Sequence, residues 1–181
     1  SESRRFLSQH LDILGHLKHW RSIVLSVCVL VYQRHSFPDL TSDCIESIDR
    51  QVFNGYIEKI IMDNGSPKPV KDYPGWKIVR VEENFGNIGG ENLCFENAQS
   101  EYVLFVSNDV RFEVDCIKKL WEQRFQGQLM PMILNPDMSI QSFGGRLIYP
   151  GYGINLLKRR ICQDYAIDYV PSICYLMPRN L

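Results

Sequence analysis

The sequence predicts an α/β fold, with a mostly parallel sheet flanked by helices and a smaller mixed sheet in the C-terminal half. Three observations predict it. From Ile23 to Phe125, apolar strand-like runs alternate with stretches of helical periodicity, the pattern of parallel strands joined by right-handed crossovers. The first run, Ile23–Val31, is rich in β-branched residues and apolar except at Ser26, as suits a strand buried on both faces. Past Gly127 the alternation stops, and Pro131, Pro136, Pro150, Pro171 and Pro178 punctuate short β-like pieces.

Each element has a local reason. In residues 1–22, Leu7, Leu11, Leu14 and Leu17 recur at helical spacing among Arg4, Arg5, Lys18 and Arg21. That predicts an amphipathic helical extension, packed on the domain or on a partner. After the first strand, Leu40, Cys44, Ile45, Ile48 and Val52 share one helix face, with Asp39 or Thr41 placed to cap its start and Asn54-Gly55 to end it. Residues 57–62 form the second strand and, after a Pro- and Gly-rich loop, Lys77–Val81 the third. Residues 90–98 predict a short helix, 102–106 the fourth strand, and Val114, Ile117, Leu120, Trp121 and Phe125 a further helical face. The later β-like pieces are 140–143, 146–149, 167–170 and 173–177. The expected organisation is an extension over 1–22 and one domain over 23–181, divided into halves at 23–126 and 127–181.

Composition narrows the function. A length of 181 residues with 45% hydrophobic and 23% charged residues suits a single domain with a sizeable core. Lys and Arg number 20 against 21 Asp and Glu, a net charge of -1, which argues against nucleic-acid coating or polybasic membrane docking. No nucleic-acid partner is expected. Cys28, Cys44, Cys94, Cys116, Cys162 and Cys174 contain no C-x-x-C pair, so zinc and thioredoxin spacings are absent. Cys28, Cys94 and Cys174 lie within apolar runs, which fits reduced thiols and a cytoplasmic setting. The run from Ile23 to Tyr32 falls well short of the ~20 residues a membrane helix needs. The polar and amphipathic stretch before it is not a signal-peptide layout.

Ligands of open α/β sheets bind beyond the carboxyl ends of the strands, so the residues following each strand are the candidates. They are Tyr32-Gln33-Arg34, then Asp63-Asn64-Gly65-Ser66, then Glu82 to Gly86, then Ser107-Asn108-Asp109. Four polar clusters on one rim favour a polar ligand. The first strand lacks a glycine-rich turn, and neither a phosphate-binding P-loop nor a G-x-S-x-G elbow occurs, which argues against dehydrogenases, P-loop NTPases and common serine hydrolases. A carboxylate at a strand end, such as Asp109, suits a hard divalent cation completed by phosphates and water, although an Asx turn reads the same way. The glycine-rich start of a helix at Asn84 to Asn92 can offer backbone N–H groups to a phosphate or sugar, or can serve close packing of helix on sheet.

Four segments together resemble the family 2 glycosyltransferases: Ser26 to Arg34 (SVCVLVYQR), Ile60 to Ser66 (IIMDNGS), Asn84 to Asn92 (NFGNIGGEN) and Glu101 to Val110 (EYVLFVSNDV). Ile140 to Gly144 and Asp168 to Arg179 are similar to later segments of that family, especially its rhamnosyltransferase-like branch. The resemblance implies a GT-A fold, a UDP- or dTDP-sugar donor, a saccharide or glycan acceptor, a Mn²⁺ or Mg²⁺ cofactor and inversion at the anomeric carbon.

By position, the resemblance places Val31, Tyr32 and Arg34 around the nucleobase and assigns Asp63 to the imide N–H of uracil or thymine. Asn64 borders the nucleoside, and Asn84 and Asn92 fall in the glycine-rich donor segment. Ser107 and Asn108 lead to Asp109, the metal ligand. Ser107 stands where the commonest form of the metal motif has an acid, and Glu91 where many members have arginine or asparagine, so Glu91 receives no role. In the family the catalytic base follows the strand that here covers 173–177. No Asp or Glu follows Asp168, and Asp164 is the next nearest. No catalytic residue is therefore assigned, and donor binding with slow transfer is expected. Two alternatives stay open. One is a non-catalytic nucleotide-sugar-binding domain. The other, a sugar-1-phosphate nucleotidylyltransferase, is disfavoured because Tyr32-Gln33-Arg34-His35 offers no glycine-rich loop.

Overall fold

The computed structural model describes residues 23–34, 38–148, 152–155 and 170–180. The expected helix over 1–22 and most of the expected strand over 167–170 lie outside these residues. The elements run β1 (Ile23–Val31), α1 (Thr41–Asp49), β2 (Tyr56–Asn64), β3 (Lys77–Val81), α2 (Gly86–Asn97), β4 (Tyr102–Ser107) and α3 (Cys116–Glu122). A single 3₁₀ turn follows at Arg124–Gln126, then β5 (Ile133–Leu134), β6 (Ile140–Ser142), β7 (Gly145–Ile148), β8 (Tyr152–Asn155) and β9 (Cys174–Pro178).

Five strands form the central sheet in the order β3-β2-β1-β4-β9. The first four are parallel, and β9 pairs antiparallel with β4. The apolar runs need this arrangement because alternate residues serve two cores. Val27, Val29, Val31, Ile61, Leu104 and Val106 pack with Cys44, Ile45 and Ile48 of α1 and Ile117 and Leu120 of α3. Cys28, Leu30, Ile60, Met62, Val103 and Phe105 pack on the opposite face with Cys94, Ala98 and Tyr175. Each fully buried side chain of this size contributes about 1.5–3 kcal/mol relative to exposure.

The helices depart from the expected pattern at their ends. α1 buries Cys44, Ile45 and Ile48, and Asp39 Oδ1 accepts the Thr41 N–H at 3.0 Å just before it. Leu40 and Val52 lie beyond the helix and are 44% and 60% exposed. α2 starts at Gly86, four residues before the expected start, because Asn84 Oδ1 accepts the Gly86 N–H at 2.8 Å and turns the chain. In α3, Ile117 and Leu120 are buried, whereas Val114 precedes the helix and Phe125 follows it, both exposed. Trp121 packs edge-on against Phe53 and Tyr102.

In the C-terminal half, the expected smaller sheet takes the form of short antiparallel pieces. β9 joins the central sheet, and the remaining pieces form two antiparallel ribbons, β5–β6 and β7–β8. Cys174, Tyr175 and Leu176 on β9 are apolar enough to cover the edge that β4 would otherwise expose. All five described cysteines are free thiols. Among the described residues, no helix is long and apolar enough to cross a membrane.

Candidate functional site

Strand register brings the polar clusters together. Val31 pairs with Asp63, Leu30 with Ser107, and Asn64 with Val81, so four parallel strands end along one edge. β9 begins at that edge, where Ser107 N–H donates to the Ile173 carbonyl at 2.8 Å. Above it lies a cavity of about 370 Å³ lined by Tyr32, Gln33, Arg34, Pro38, Leu40, Asn108 and Asp109.

The walls are tied to the scaffold. The Arg34 guanidinium lies 5.7 Å from the centre of the Tyr32 ring, a cation–π contact at the cavity mouth. Asn108 Nδ2 donates to Thr41 Oγ1 at 3.0 Å, fixing the strand-end turn against the start of α1. Val110 N–H donates to the Ser107 carbonyl at 3.1 Å and closes that turn, which leaves Asp109 exposed at its tip. Burial pushes the Cys44 thiol up to about 12, and the nearby Asp109 charge adds to the shift.

Residues 26–128, more than half of the chain, match the sequence model for glycosyl transferase family 2. The chain belongs to this family. An N-acetylglucosaminyltransferase of Bradyrhizobium elkanii is 29% identical over 107 residues, which cover 54% of this chain and 59% of the relative. The crystal structure of S. aureus TarS 1–349 in complex with UDP-GlcNAc is similar with a TM-score of 0.50 and 20% identity, over 63% of this chain and 36% of that chain. That likeness is one of fold. The chain thus spans less than two thirds of the length of the proteins it matches.

Within this family 2 domain, the cavity gathers Tyr32, Arg34, Asn108 and Asp109 of the residues the sequence assigned, and adds Gln33, Pro38 and Leu40. Val31 is fully buried. Ser107 is half-buried behind the turn. Asn92 is exposed on α2, and Asn84 is exposed on the loop before it; neither lines the cavity.

Asp63 and Asn64 are buried and do not line the cavity. The Asp63 carboxylate has no exposed surface. Its Oδ1 accepts the Ser66 N–H at 3.0 Å, and its Oδ2 accepts the Val70 N–H at 3.2 Å and Arg80 Nη1 at 2.5 Å. The charge faces protein donors because Arg80, on the neighbouring strand β3, neutralises it from within the sheet edge. Asn64 is also buried. Its Nδ2 donates to Asn84 Oδ1 and the Gly86 carbonyl, and its Oδ1 accepts the Phe85 N–H at 3.1 Å. It joins β2 to the entry of α2. The glycine-rich segment serves close packing at Gly90, where a Cβ would lie 2.6 Å from Leu30 Cδ1 and 2.9 Å from Asn64 Nδ2.

Sequence reasoning missed Arg80 and Glu91. Arg80 had a signal, a charge set inside the strand Lys77–Val81 between the apolar Val79 and Val81. Glu91 accepts the Tyr175 hydroxyl, a contact with no local signature.

A cation fits this site in one way. Among the described residues, no group of three or more His, Cys, Asp or Glu side chains could hold a metal ion. Among the described residues, Asp109 is the sole carboxylate lining the cavity. Such a donor set suits a hard cation that takes most of its oxygen ligands from a diphosphate and water.

Proposed function

We propose that this domain binds a nucleotide-diphosphate sugar and transfers its sugar to an acceptor hydroxyl. The observation that carries this reading is the cavity itself, with Tyr32, Arg34 and Asp109 converging at the carboxyl edge of a family 2 sheet. The Tyr32 ring offers a face for a nucleobase, and Arg34 offers a fixed positive charge. Asp109 would hold Mn²⁺ or Mg²⁺. The bound cation would act as a Lewis acid on the departing diphosphate. The acceptor hydroxyl attacks from the face opposite that leaving group, forming the new C–O bond as the bond to the diphosphate breaks and passing its proton to a general base or to water, which inverts the anomeric centre.

UDP-N-acetylglucosamine is the first donor to test, because one relative is named an N-acetylglucosaminyltransferase and one neighbour was crystallised with UDP-GlcNAc. The likeness of residues 140–144 and 168–179 to the rhamnosyltransferase-like branch favours a dTDP-deoxyhexose instead. Isothermal titration with UDP, UDP-GlcNAc and dTDP-rhamnose, each with and without Mn²⁺, separates the two. A ligand at 100 times its Kd adds about 2.7 kcal/mol of apparent stability, so thermal unfolding gives an independent reading. Absence of binding by all three in the presence of metal would overturn the proposal. Acceptor-dependent release of UDP or dTDP separates a transferase from a domain that only binds.

A further inference from the structure

We propose that Arg80 is a positioning residue for the wall of the donor cavity, acting on it through Asp63 and Ser66. The name donor cavity rests on the reading above; the mechanical link does not. Arg80 forks at the end of β3. Its Nη1 donates to Asp63 Oδ2 at 2.5 Å, and its Nη2 donates to the Ser66 carbonyl at 3.0 Å. Asp63 Oδ1 accepts the Ser66 N–H at 3.0 Å, so the backbone of Ser66 is gripped at both its N–H and its carbonyl. The Ser66 hydroxyl then faces β1 and accepts the Gln33 N–H at 3.0 Å. Gln33 lies between Tyr32 and Arg34, the two side chains at the cavity mouth.

The geometry matters because β1 has ended at Val31 and, among the described residues, no sheet partner holds the Gln33 N–H. Its described acceptor is a serine hydroxyl on a loop. That loop begins at Gly65 in the left-handed region, where sheet hydrogen bonding gives no support. The Arg80–Asp63 pair supplies what the sheet does not. Asp63 is fully buried and the Arg80 side chain is 27% exposed, so the pair is shielded from solvent on the carboxylate side. A lysine would keep the charge but could not reach both acceptors with a planar fork.

Backbone amide exchange on the full chain, without ligand, tests the link. In Arg80→Lys the Gln33 amide should exchange at least about tenfold faster, while the Cys28 and Val29 amides inside β1 keep their protection. Ser66→Ala, which removes the acceptor itself, should speed Gln33 exchange at least as much. Adding Arg80→Lys to Ser66→Ala should give no further change at Gln33, because Arg80 acts only through that hydroxyl. Affinity for UDP with Mn²⁺ should fall about tenfold in Arg80→Lys. Wild-type protection of Gln33 in the folded variant would overturn the proposal, as would equal loss at Gln33, Cys28 and Val29, which marks a purely structural role. If the wild type binds no UDP, the donor reading falls and Gln33 exchange alone judges the link. Should Arg80→Lys not fold, the pair Asp63→Asn with Arg80→Gln removes both charges together and asks the same question at Gln33.

Discussion

The Tyr175 hydroxyl donates to Glu91 Oε2 across 2.6 Å, tying β9 to α2. Asn87 Nδ2 holds the other oxygen of Glu91 at 3.0 Å. The Tyr175 ring stacks on Phe105 at 5.1 Å and on Phe95 at 6.2 Å. Burial, and then the Glu91 hydrogen bond and charge, push the Tyr175 phenol well above its ordinary value, so it remains a donor throughout the neutral range. β9 is the one strand of the central sheet that comes from the C-terminal half, and this contact anchors it on the face opposite α1.

Tyr175→Phe and Glu91→Ala should therefore each lower the unfolding free energy by about 1.5–3 kcal/mol, as expected for a hydrogen bond to a charged group. In urea titrations the double variant should lose much less than the sum of the two. Strict additivity would show that the contact contributes nothing to stability.

Asp109→Asn should leave folding intact, because Asp109 is exposed and forms no part of either core. It should weaken Mn²⁺-dependent UDP binding by at least about tenfold, the smaller end of what even an outer-shell partner contributes to a metal site. Titrations with and without Mn²⁺ read this directly. An unchanged metal dependence removes Asp109 from the ligand set.

Gly65 has φ +72°, and a Cβ there would lie 2.6 Å from the Glu83 carbonyl carbon and 2.7 Å from the Asn84 nitrogen. Gly75 has φ +81° with open space around it. Gly75→Ala should cost about 1–2 kcal/mol from the left-handed conformation alone. Gly65→Ala should cost more, since rigid backbone blocks it. Chemical denaturation of both variants compares them, and equal losses would mean that the loop before α2 yields freely.

Stability should decline in mild alkali. Burial raises the Cys44 thiol from 9.0 to about 12 and Cys116 to about 11, and lifts Cys28 and Cys174 well above their ordinary value. Unfolded thiols ionise near 9.0, while the folded ones keep their protons. Their contribution is complete below pH ~9 and is lost as pH rises toward the folded values. The loss is about 1.4 kcal/mol per pH unit for each fully buried thiol, and less for half-buried Cys116. Urea midpoints from pH 7 to 10.5, under reducing conditions, should stay level and then fall. A flat profile to pH 10.5 would refute the assignment.

The sequence by itself determined the four parallel strands. β1 and β3 begin and end where the reading of residues placed them, and β2 and β4 agree within two residues. An apolar run buried on both faces is written in consecutive residues, so short-range periodicity suffices. It also determined the outline of the cavity. Tyr32, Arg34, Asn108 and Asp109 follow strand ends, and parallel register carries all strand ends to one edge.

Only the tertiary structure decided which polar groups face that cavity and which turn inward. Asp63 follows the same strand-end rule as Asp109, yet Arg80, 17 positions away, captures it inside the protein. Glu91 finds its donor 84 positions away on β9, whose place beside β4 no local pattern records. Side-chain pairing depends on which elements become neighbours, and a buried charge takes whichever partner the completed sheet sets beside it.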